Sequence, residues 1–465
     1  MKYAIFLIGL LLSGCAPSIR QGARTLNDVP AIGTSSNPAA KPAAGIPEMW
    51  WKEFNDAGLD RLVESALSNN PGLEEAKDRL EAAQAAVDET GGSLYPHVDS
   101  VGSFRRQRLS RNGNNTIYNG KTATIANVFP LFVNYDLDLW NRNGEIVSAA
   151  FASEKASEAG YRQSALMLSS SVIKTYFALN TARNLAEIQA DIVRLTDEKN
   201  ALLNAAYQSG IKPRGFSVAS RADLFASKAA LATLHQRQET LDFALLELVG
   251  RTPEKEIQTA SASIPERFGI PERIDLDLVS KRPDIQAAIW NVRKASHLEK
   301  AAKDSFYPNI NLFALAGFNS IGISDLLGPG GATYAYGPAI DLPIFEGGAL
   351  EGRLHEKEAS YDQAVHAYNR ILLAAVRQIA DALSAMRYSR EKLEERSASL
   401  ESRRTAAEIA ESGFRSGISG RLPSLEAEIS LDREKMKKME ENLNWIYSIT
   451  DAATALGGGF GRWPS

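Results

Sequence analysis

A coiled-coil pattern runs through the stretch Leu185–Leu202, which reads LAEIQADIVRLTDEKNAL. Its alternating steps of three and four residues are those of a coiled-coil seam, occupied here by Leu185, Ile188, Ile192, Leu195, Lys199 and Leu202. Around this stretch, the sequence from Glu145 to Ser209 contains no proline and only one glycine, Gly160. A helix of these 65 residues extends about 98 Å, at about 1.5 Å per residue. The pattern therefore predicts a helix that is much longer than an ordinary globular domain.

The chain repeats its own motifs at nearly constant distances. Two pairs of positions are 212 residues apart: Pro71 with Pro283, and Pro96 with Pro308. Three pairs are 207 residues apart: Gly210 with Gly417, Ser217 with Ser424, and Gly250 with Gly457. We therefore predict a tandem duplication, with repeats at residues 48–250 and 274–457, a proline-containing linker at 251–273 and a tail at 458–465.

Each repeat has the same order of predicted elements: a helix, two strands and a pair of long helices. The β-hairpins are predicted at about 97–140 and 309–345, and the coiled-coil hairpins at about 145–249 and 348–456. Apolar residues take the odd positions between Thr122 and Trp140 and the even positions in 309–320 and 333–345, whereas the strand at 97–108 is mixed. Alternation over ten or more residues is typical of membrane-spanning strands. A water-soluble sheet is the alternative, and it predicts shorter strands.

Four strands cannot close a barrel, and an open sheet edge is not tolerated in lipid. The smallest membrane barrels have about eight strands. If these strands span a membrane, several chains must share one barrel. The predicted class is therefore an α+β membrane protein, built from a tandem-duplicated helix, β-hairpin and long coiled-coil hairpin.

The N-terminus reads as a secretion signal. Lys2 precedes an apolar run at 4–12, and Ser13-Gly14-Cys15 follows it, an order that resembles the bacterial lipoprotein signal. We predict a signal peptide at 1–14, a covalent lipid on Cys15 and a Pro/Ala-rich tether at 15–47. Ala16, in place of aspartate, favours the outer membrane. A plain signal peptide with a chance cysteine is the alternative.

Composition excludes several classes of protein. The net charge is −4, with 52 basic and 56 acidic residues, so no nucleic-acid partner is expected. The single cysteine and the five histidines have no metal-ligand spacing, and we expect no metal or other cofactor besides the lipid. No nucleophile elbow, HExxH or P-loop is present, which argues against an enzyme.

Taken in order along the chain, several motifs resemble those of the outer-membrane efflux protein (TolC-like) family, and of its lipoprotein branch in particular. They are Trp50-Trp51 with Phe54 and Asp56, Arg282-Pro283-Asp284-Ile285, the Tyr-Pro pairs at 95–96 and 307–308, Pro343–Gly348, and the turns at 207–210 and 414–417. The resemblance implies a homotrimer with a shared 12-stranded barrel in the outer membrane of a Gram-negative bacterium and an α-helical barrel in the periplasm.

The resemblance also implies a function and partners. Such a channel passively conducts small toxic compounds and drugs from an inner-membrane pump, most often of the RND type, through a periplasmic adaptor to the outside. Two alternatives stay open: an exit duct for type I protein secretion, and a trimeric lipid-anchored coiled-coil protein without a lumen.

The turns between the long helices are the candidate sites. Gly210 and Gly417 are expected to end their helices in the left-handed conformation, and Ser217 and Ser424 to cap the next ones. The resemblance implies that these tips contact the adaptor. It also implies that Glu426 lines a constriction that closes the tunnel. A neighbouring arginine, Arg415 or Arg421, is our candidate for a latch that holds Glu426. A solvated helix charge is the alternative for Glu426.

Two further motifs are expected to have simpler roles. We interpret Arg282-Pro283-Asp284 as a helix start, with proline and aspartate in the first turn. The basic run Arg105, Arg106, Arg108 and Arg111 is expected in the outer loop of the first hairpin. There a solvated loop is favoured over contact with lipopolysaccharide phosphates.

Overall fold

The computed structural model describes residues 49–112, 119–252 and 279–459, together with 26, 32–33, 47 and 273–274. The predicted signal peptide, the predicted lipidation site Cys15, nearly all of the predicted tether, most of the linker and the end of the tail lie outside the described residues.

Helices make up most of the described chain. A short 3-10 helix, Trp50–Phe54, precedes them. The α-helices are α1 (Ala57–Asn69), α2 (Pro71–Gly91), α3 (Arg142–Gln208), α4 (Arg214–Leu248), α5 (Pro283–Asp304), α6 (Ala349–Arg415) and α7 (Arg421–Ala455). None of these described helices combines the length and the apolar character needed to cross a membrane.

The strands form one four-stranded antiparallel sheet and one minimal pair. The pair joins β1 (Ile32–Gly33) to β4 (Arg273–Ile274). The sheet contains β2 (His97–Arg108), β3 (Thr122–Asp136), β5 (Asn309–Ile321) and β6 (Ala332–Asp341), in the order β2-β3-β5-β6. Both predicted hairpins are present, and pairing of β3 with β5 joins them into one sheet. Within one chain, β2 and β6 are the edge strands of this four-stranded sheet.

The duplication is visible in the helices. Both α3 and α6 have 67 residues, and both α4 and α7 have 35. The second copies begin 207 residues after the first, which is the spacing found in the sequence. A helix of 67 residues extends about 100 Å. The tandem helix, hairpin and coiled-coil fold class is confirmed.

The chain divides into two compact units that do not coincide with the two repeats. The first unit is built from Arg79–Glu158 and Ala287–Asn369, and the second mainly from Ala159–Gln286 and Arg370–Ser465. Each unit therefore takes segments from both repeats. The reason is physical, because a single hairpin cannot form a stable sheet and each repeat needs the strands of the other.

In the second unit, the start of the folded chain is anchored by buried aromatic residues. Trp50 and Phe54 are almost fully buried, and the Phe54 ring lies 5.1 Å from that of Phe177. The Asp56 carboxylate accepts hydrogen bonds from the first backbone N–H groups of α1 and from the hydroxyl of Tyr176, at 2.6 Å. Asp56 is thus a helix cap that also ties α1 to α3.

Pro71 and Pro283 begin matching helices, and the residue before each proline donates a hydrogen bond to the end of another helix. The side-chain amide of Asn70 donates to the carbonyl oxygen of Leu248 at the end of α4, at 3.0 Å. At the matching position, the guanidinium of Arg282 donates to the carbonyl oxygen of Ala455 at the end of α7, at 2.5 Å. Orphan carbonyls at helix C-termini need such donors. The helix start predicted at Pro283 is present, with Arg282 also paired to Asp284.

A β-bulge changes which side chains share a face of the sheet. The pairing of β3 with β5 shifts between Val128 and Leu131. Because an extra residue reverses the alternation, Val128 lies on the same face as Leu131. The expectation that the odd positions of this strand share one face throughout is therefore wrong. The strand also ends at Asp136 rather than near Trp140.

Candidate functional site

The turns that join the long helices have matching backbone conformations. Gly210 follows α3 with φ of 75°, and Gly417 follows α6 with φ of 70°. The next N–H group in each turn returns to the helix: Ile211 N donates to Ala206 O at 2.8 Å, and Ile418 N donates to Gly413 O at 2.9 Å. Glycine favours this left-handed conformation because it has no Cβ.

The two turns also present apolar side chains. Ile211 is 74% exposed, and its counterpart 207 residues later, Ile418, is 85% exposed. Large aliphatic side chains this exposed, at equivalent positions of two turns, form an apolar tip on each helical hairpin.

The two serines do not cap the helices, contrary to expectation. The cap positions are Pro213 before α4 and Gly420 before α7, and neither makes a side-chain cap hydrogen bond. Both helices begin three residues before the serine, which places Ser217 and Ser424 one turn inside. Ser217 lies 3.2 Å from the Asn204 amide oxygen.

Ser424 is fully buried and belongs to a cluster of charged groups. Its Oγ lies 2.7 Å from Oε2 of Glu411 and 3.1 Å from Oε1 of Glu428. The serine therefore connects α6 to α7 instead of capping the latter. The hydroxyl offers a hydrogen-bond partner to carboxylates that are partly buried.

Arg421 lies at the centre of this cluster. Its Nε is 2.9 Å from Oε1 of Glu198, and its Nη1 is 3.1 Å from Oε2 of Glu411 and 2.6 Å from Oε1 of Glu428. The guanidinium also lies over the Phe414 ring, 5.5 Å from its centroid. One cation thus connects α3, α6 and α7, which suits the multiple donors of a guanidinium. We refer to Arg421, Glu198, Glu411, Glu428 and Ser424 as the tip cluster.

The tip cluster favours the charged forms of Glu198, Glu411 and Arg421. The hydrogen bond from Arg421 lowers the pKa of Glu198 below its ordinary value of 4.5. Hydrogen bonds from Ser424 and Arg415 lower the pKa of Glu411, and the hydrogen bond to Glu198 raises the pKa of Arg421. At neutral pH these three groups are therefore charged.

Glu426 is paired with a residue that sequence reasoning missed. Its carboxylate lies 3.0 Å from Nζ of Lys199 on α3, and its side chain is 54% exposed. Neither expected latch contacts Glu426 within the chain, because Arg421 is engaged in the tip cluster and Arg415 pairs with Glu411 at 2.8 Å. The signal in the sequence was Lys199 itself, a cation in an otherwise apolar seam.

An apolar contact lies next to the ion pairs. Leu425 is fully buried and packs with Ile192, Leu195 and Ile429. Seam positions of α3 therefore contact α7 in two ways: Ile192 and Leu195 through apolar packing, and Lys199 through its ion pair with Glu426. The charged groups lie beside this apolar contact. Their ion pairs favour one position of α7 against α3, and the apolar residues form the core of the contact.

Comparison with known proteins identifies the family. Residues 62–251 and 277–458 match the sequence profile of the family described as "Outer membrane efflux protein". The "Multidrug resistance outer membrane protein MdtP" of Escherichia coli K12 is 26% identical over 98% of this chain and 95% of its own length. The "Putative multidrug resistance outer membrane protein MdtQ" of the same strain is also 26% identical, over 99% and 98%.

Solved structures have the same fold. The outer membrane protein VceC of Vibrio cholerae is 28% identical, with a TM-score of 0.80 over 88% of this chain and 98% of its own. The CmeC outer membrane channel of Campylobacter jejuni has a TM-score of 0.84 over 96% and 95%, at 24% identity. Because the profile covers most of both repeats, this chain belongs to the outer membrane efflux protein family.

Proposed function

We propose that this protein is the outer-membrane exit channel of a tripartite efflux system and that it passively conducts small toxic compounds and drugs. Family membership supports an efflux channel, and the names of the multidrug resistance relatives MdtP and MdtQ support drugs as the substrate class. Selection among compounds belongs to the pump, because a passive duct contacts many compounds weakly.

The observation that carries the proposal is the four-stranded sheet with two open edges. Antiparallel strands of 10 to 15 residues are long enough to cross a bilayer when tilted. An open edge in lipid leaves backbone groups without partners, so β6 of one chain must pair with β2 of another. Three chains supply 12 strands, a number within the range of closed membrane barrels.

The partners follow from the helices and their turns. The 67-residue helices suit a tunnel through the periplasm, and the apolar tips at Ile211 and Ile418 suit an apolar site on a periplasmic adaptor. An inner-membrane pump, of the RND type, supplies the energy. The lipid on Cys15 is part of the proposal and rests on the sequence alone.

We propose that the gate lies near the N-terminal end of α7, at Glu426. Three copies of Glu426 around one axis form a ring of carboxylates, which favours cations over anions. In each chain, the pair of Glu426 with Lys199 and the tip cluster hold α7 against α3. Breaking these contacts frees α7 to move outward and widens the opening.

Single-channel recording in planar bilayers tests the proposal. Wild-type trimer is expected to give discrete, small current steps, and Glu426→Ala larger ones, because the variant loses its pair with Lys199. Glu440→Ala, an exposed acid elsewhere on α7, is the matched control and should behave as wild type. Silence from correctly folded trimer would contradict the channel and favour a lumenless stalk. Equal currents from wild type and Glu426→Ala would remove Glu426 from the gate.

A further inference from the structure

The basic run of the first hairpin lies mainly in a strand rather than in a loop. Strand β2 continues to Arg108, so Arg105, Arg106 and Arg108 are strand residues, and only Arg111 follows the strand. The expectation of a loop is wrong because β2 stays paired with β3 up to Arg108 opposite Thr122. Strand residues have defined faces, and a solvated loop does not.

The pairing register places two of the arginines on the apolar face of the sheet. Phe104 pairs with Ala126, Arg106 with Thr124, and Arg108 with Thr122. Directly paired residues of antiparallel strands project from the same face. Arg106 and Arg108 therefore share a face with Phe104, while Arg105 projects from the opposite face.

The face that carries Arg106 and Arg108 is otherwise strongly apolar. Rows of paired side chains cross it: Leu131 with Ala316 and Tyr334, Val133 with Ala314 and Tyr336, and Val128 with Phe318. Tyr334 and Tyr336 are 77% and 78% exposed. The opposite face carries a polar ladder, in which Asn127 donates to Ser103 and Asn319 donates to Asn127. In a barrel the apolar face contacts lipid and the polar face lines the lumen.

The height of the two arginines matches the membrane surface. The apolar rows run from Ile310, paired with Ile340, to Phe318. Eight residues at about 3.4 Å each and a tilt of about 40° give roughly 21 Å, close to the ~25 Å apolar band of such barrels. Arg106 and Arg108 lie beyond this band at the hairpin end, where a lipid-facing charge is tolerated best.

The two arginines have no acidic partner among the described residues. Both are exposed, and neither side chain makes a hydrogen bond or an ion pair with any part of the chain that the structure describes. The connecting segment 109–121 reads LSRNGNNTIYNGK and contains two further cations and no acid. This end of the hairpin therefore has uncompensated positive charge next to an apolar surface.

We propose that Arg106 and Arg108 bind the phosphate groups of lipid in the outer leaflet of the membrane. The proposal rests on the proposed function, since it requires that the barrel span the outer membrane with the 109–121 end outside. The acyl chains lie against the apolar rows, and the planar guanidinium groups hold phosphate oxygens with paired hydrogen bonds. We commit to lipid phosphate because a phospholipid or lipid A combines a negatively charged headgroup with acyl chains. Its phosphate lies at the membrane surface, at the level of Arg106 and Arg108.

Native mass spectrometry of detergent-purified protein tests the proposal, with diphosphoryl lipid A as the probe and its dephosphorylated form as the comparison. Wild type is expected to bind the phosphorylated lipid, and Arg106→Gln/Arg108→Gln to bind it about ten- to thirtyfold more weakly. The control is Arg105→Gln, which removes one arginine charge from the opposite face and should bind as wild type. Arg106→Lys/Arg108→Lys keeps the charge and should lose only a few-fold.

Two results would overturn the proposal. One is equal binding by wild type and the double glutamine variant. The other is equal binding of the phosphorylated and dephosphorylated lipids by wild type. Bilayer conductance of the same variants checks that the barrel is intact and is expected to equal that of wild type. A wild type that binds lipid but conducts nothing would refute the channel and leave the lipid site standing, so the two failures are distinguishable.

Discussion

At the scale of single residues, Arg421 is the cation that connects the long helices α3, α6 and α7. Its guanidinium meets carboxylates from three helices, Glu198, Glu411 and Glu428, and its side chain is only 23% exposed. Without this cation, three like charges would remain close together. Removing one partner from such a cluster is more disruptive than removing an exposed ion pair, because the remaining charges have no compensation.

We expect Arg421→Ala to open the channel. The uncompensated carboxylates repel one another and separate α7 from α3, and the ratio of open to closed channels should rise by roughly tenfold. Arg421→Lys keeps the charge without the forked geometry and should give an intermediate value. Single-channel recording measures both. Arg415→Ala is the control, since Arg415 is 77% exposed and pairs with Glu411 alone. Wild-type behaviour of folded Arg421→Ala would show that the tip cluster does not hold the gate.

At the scale of elements, the contact of α3 with α6 and α7 combines an apolar seam with charge. The seam resists changes of pH, whereas the charged part depends on ionised Glu198 and Glu411. Both groups have a pKa lowered below 4.5. A group of this kind stabilises the folded contact above its ordinary pKa, and the stabilisation is lost as the pH falls through the lowered value.

Acid is therefore expected to loosen the tip. Wild-type conductance should stay constant while the pH remains well above 4.5, and it should rise once the pH falls below 4.5 far enough to protonate Glu198 and Glu411. Arg421→Ala should respond in the opposite direction, because protonation there removes repulsion. Bilayer recordings across this pH range at constant ionic strength compare the two proteins. If both proteins respond alike, the tip cluster is not the acid-sensitive element.

The whole molecule is incomplete as a single chain. Strands β2 and β6 have no partner on their outer edges among the described strands, and the apolar face of the sheet is exposed. Closure through three chains removes all edges at once and buries the backbone groups of both strands.

Cysteine cross-linking should reveal this closure. Single cysteines are placed on β2, at Val101, Gly102 or Ser103, and combined with one on β6, at Ala335, so that the register between chains is scanned. At the correct register, oxidation is expected to link chains up to the trimer, three times the mass of the mature chain, and no further. Variants with only one of the two cysteines are the control. A ladder that continues beyond three chains, or no linkage at any register, would contradict the 12-stranded ring.

The sequence by itself determined what depends on local pattern. The seam at Leu185–Leu202 and the absence of breakers specified α3, and the repeated spacings specified its copy α6. Gly210 and Gly417 marked the turns, since only local backbone freedom is involved. The alternating strands and the order of motifs were enough to predict the fold class and the family, because periodicity and turn chemistry act over a few residues.

Only the tertiary structure decided which side chains meet. Glu198 and Arg421 are 223 residues apart, and no local rule pairs them. No local rule pairs Lys199 with Glu426 either, and the sequence analysis had expected an arginine as the partner of Glu426. One inserted residue between Val128 and Leu131 fixed the faces of β3, and with them the side of the sheet that carries Arg106 and Arg108. Such contacts depend on register and on the packing of distant helices, which a local pattern cannot encode.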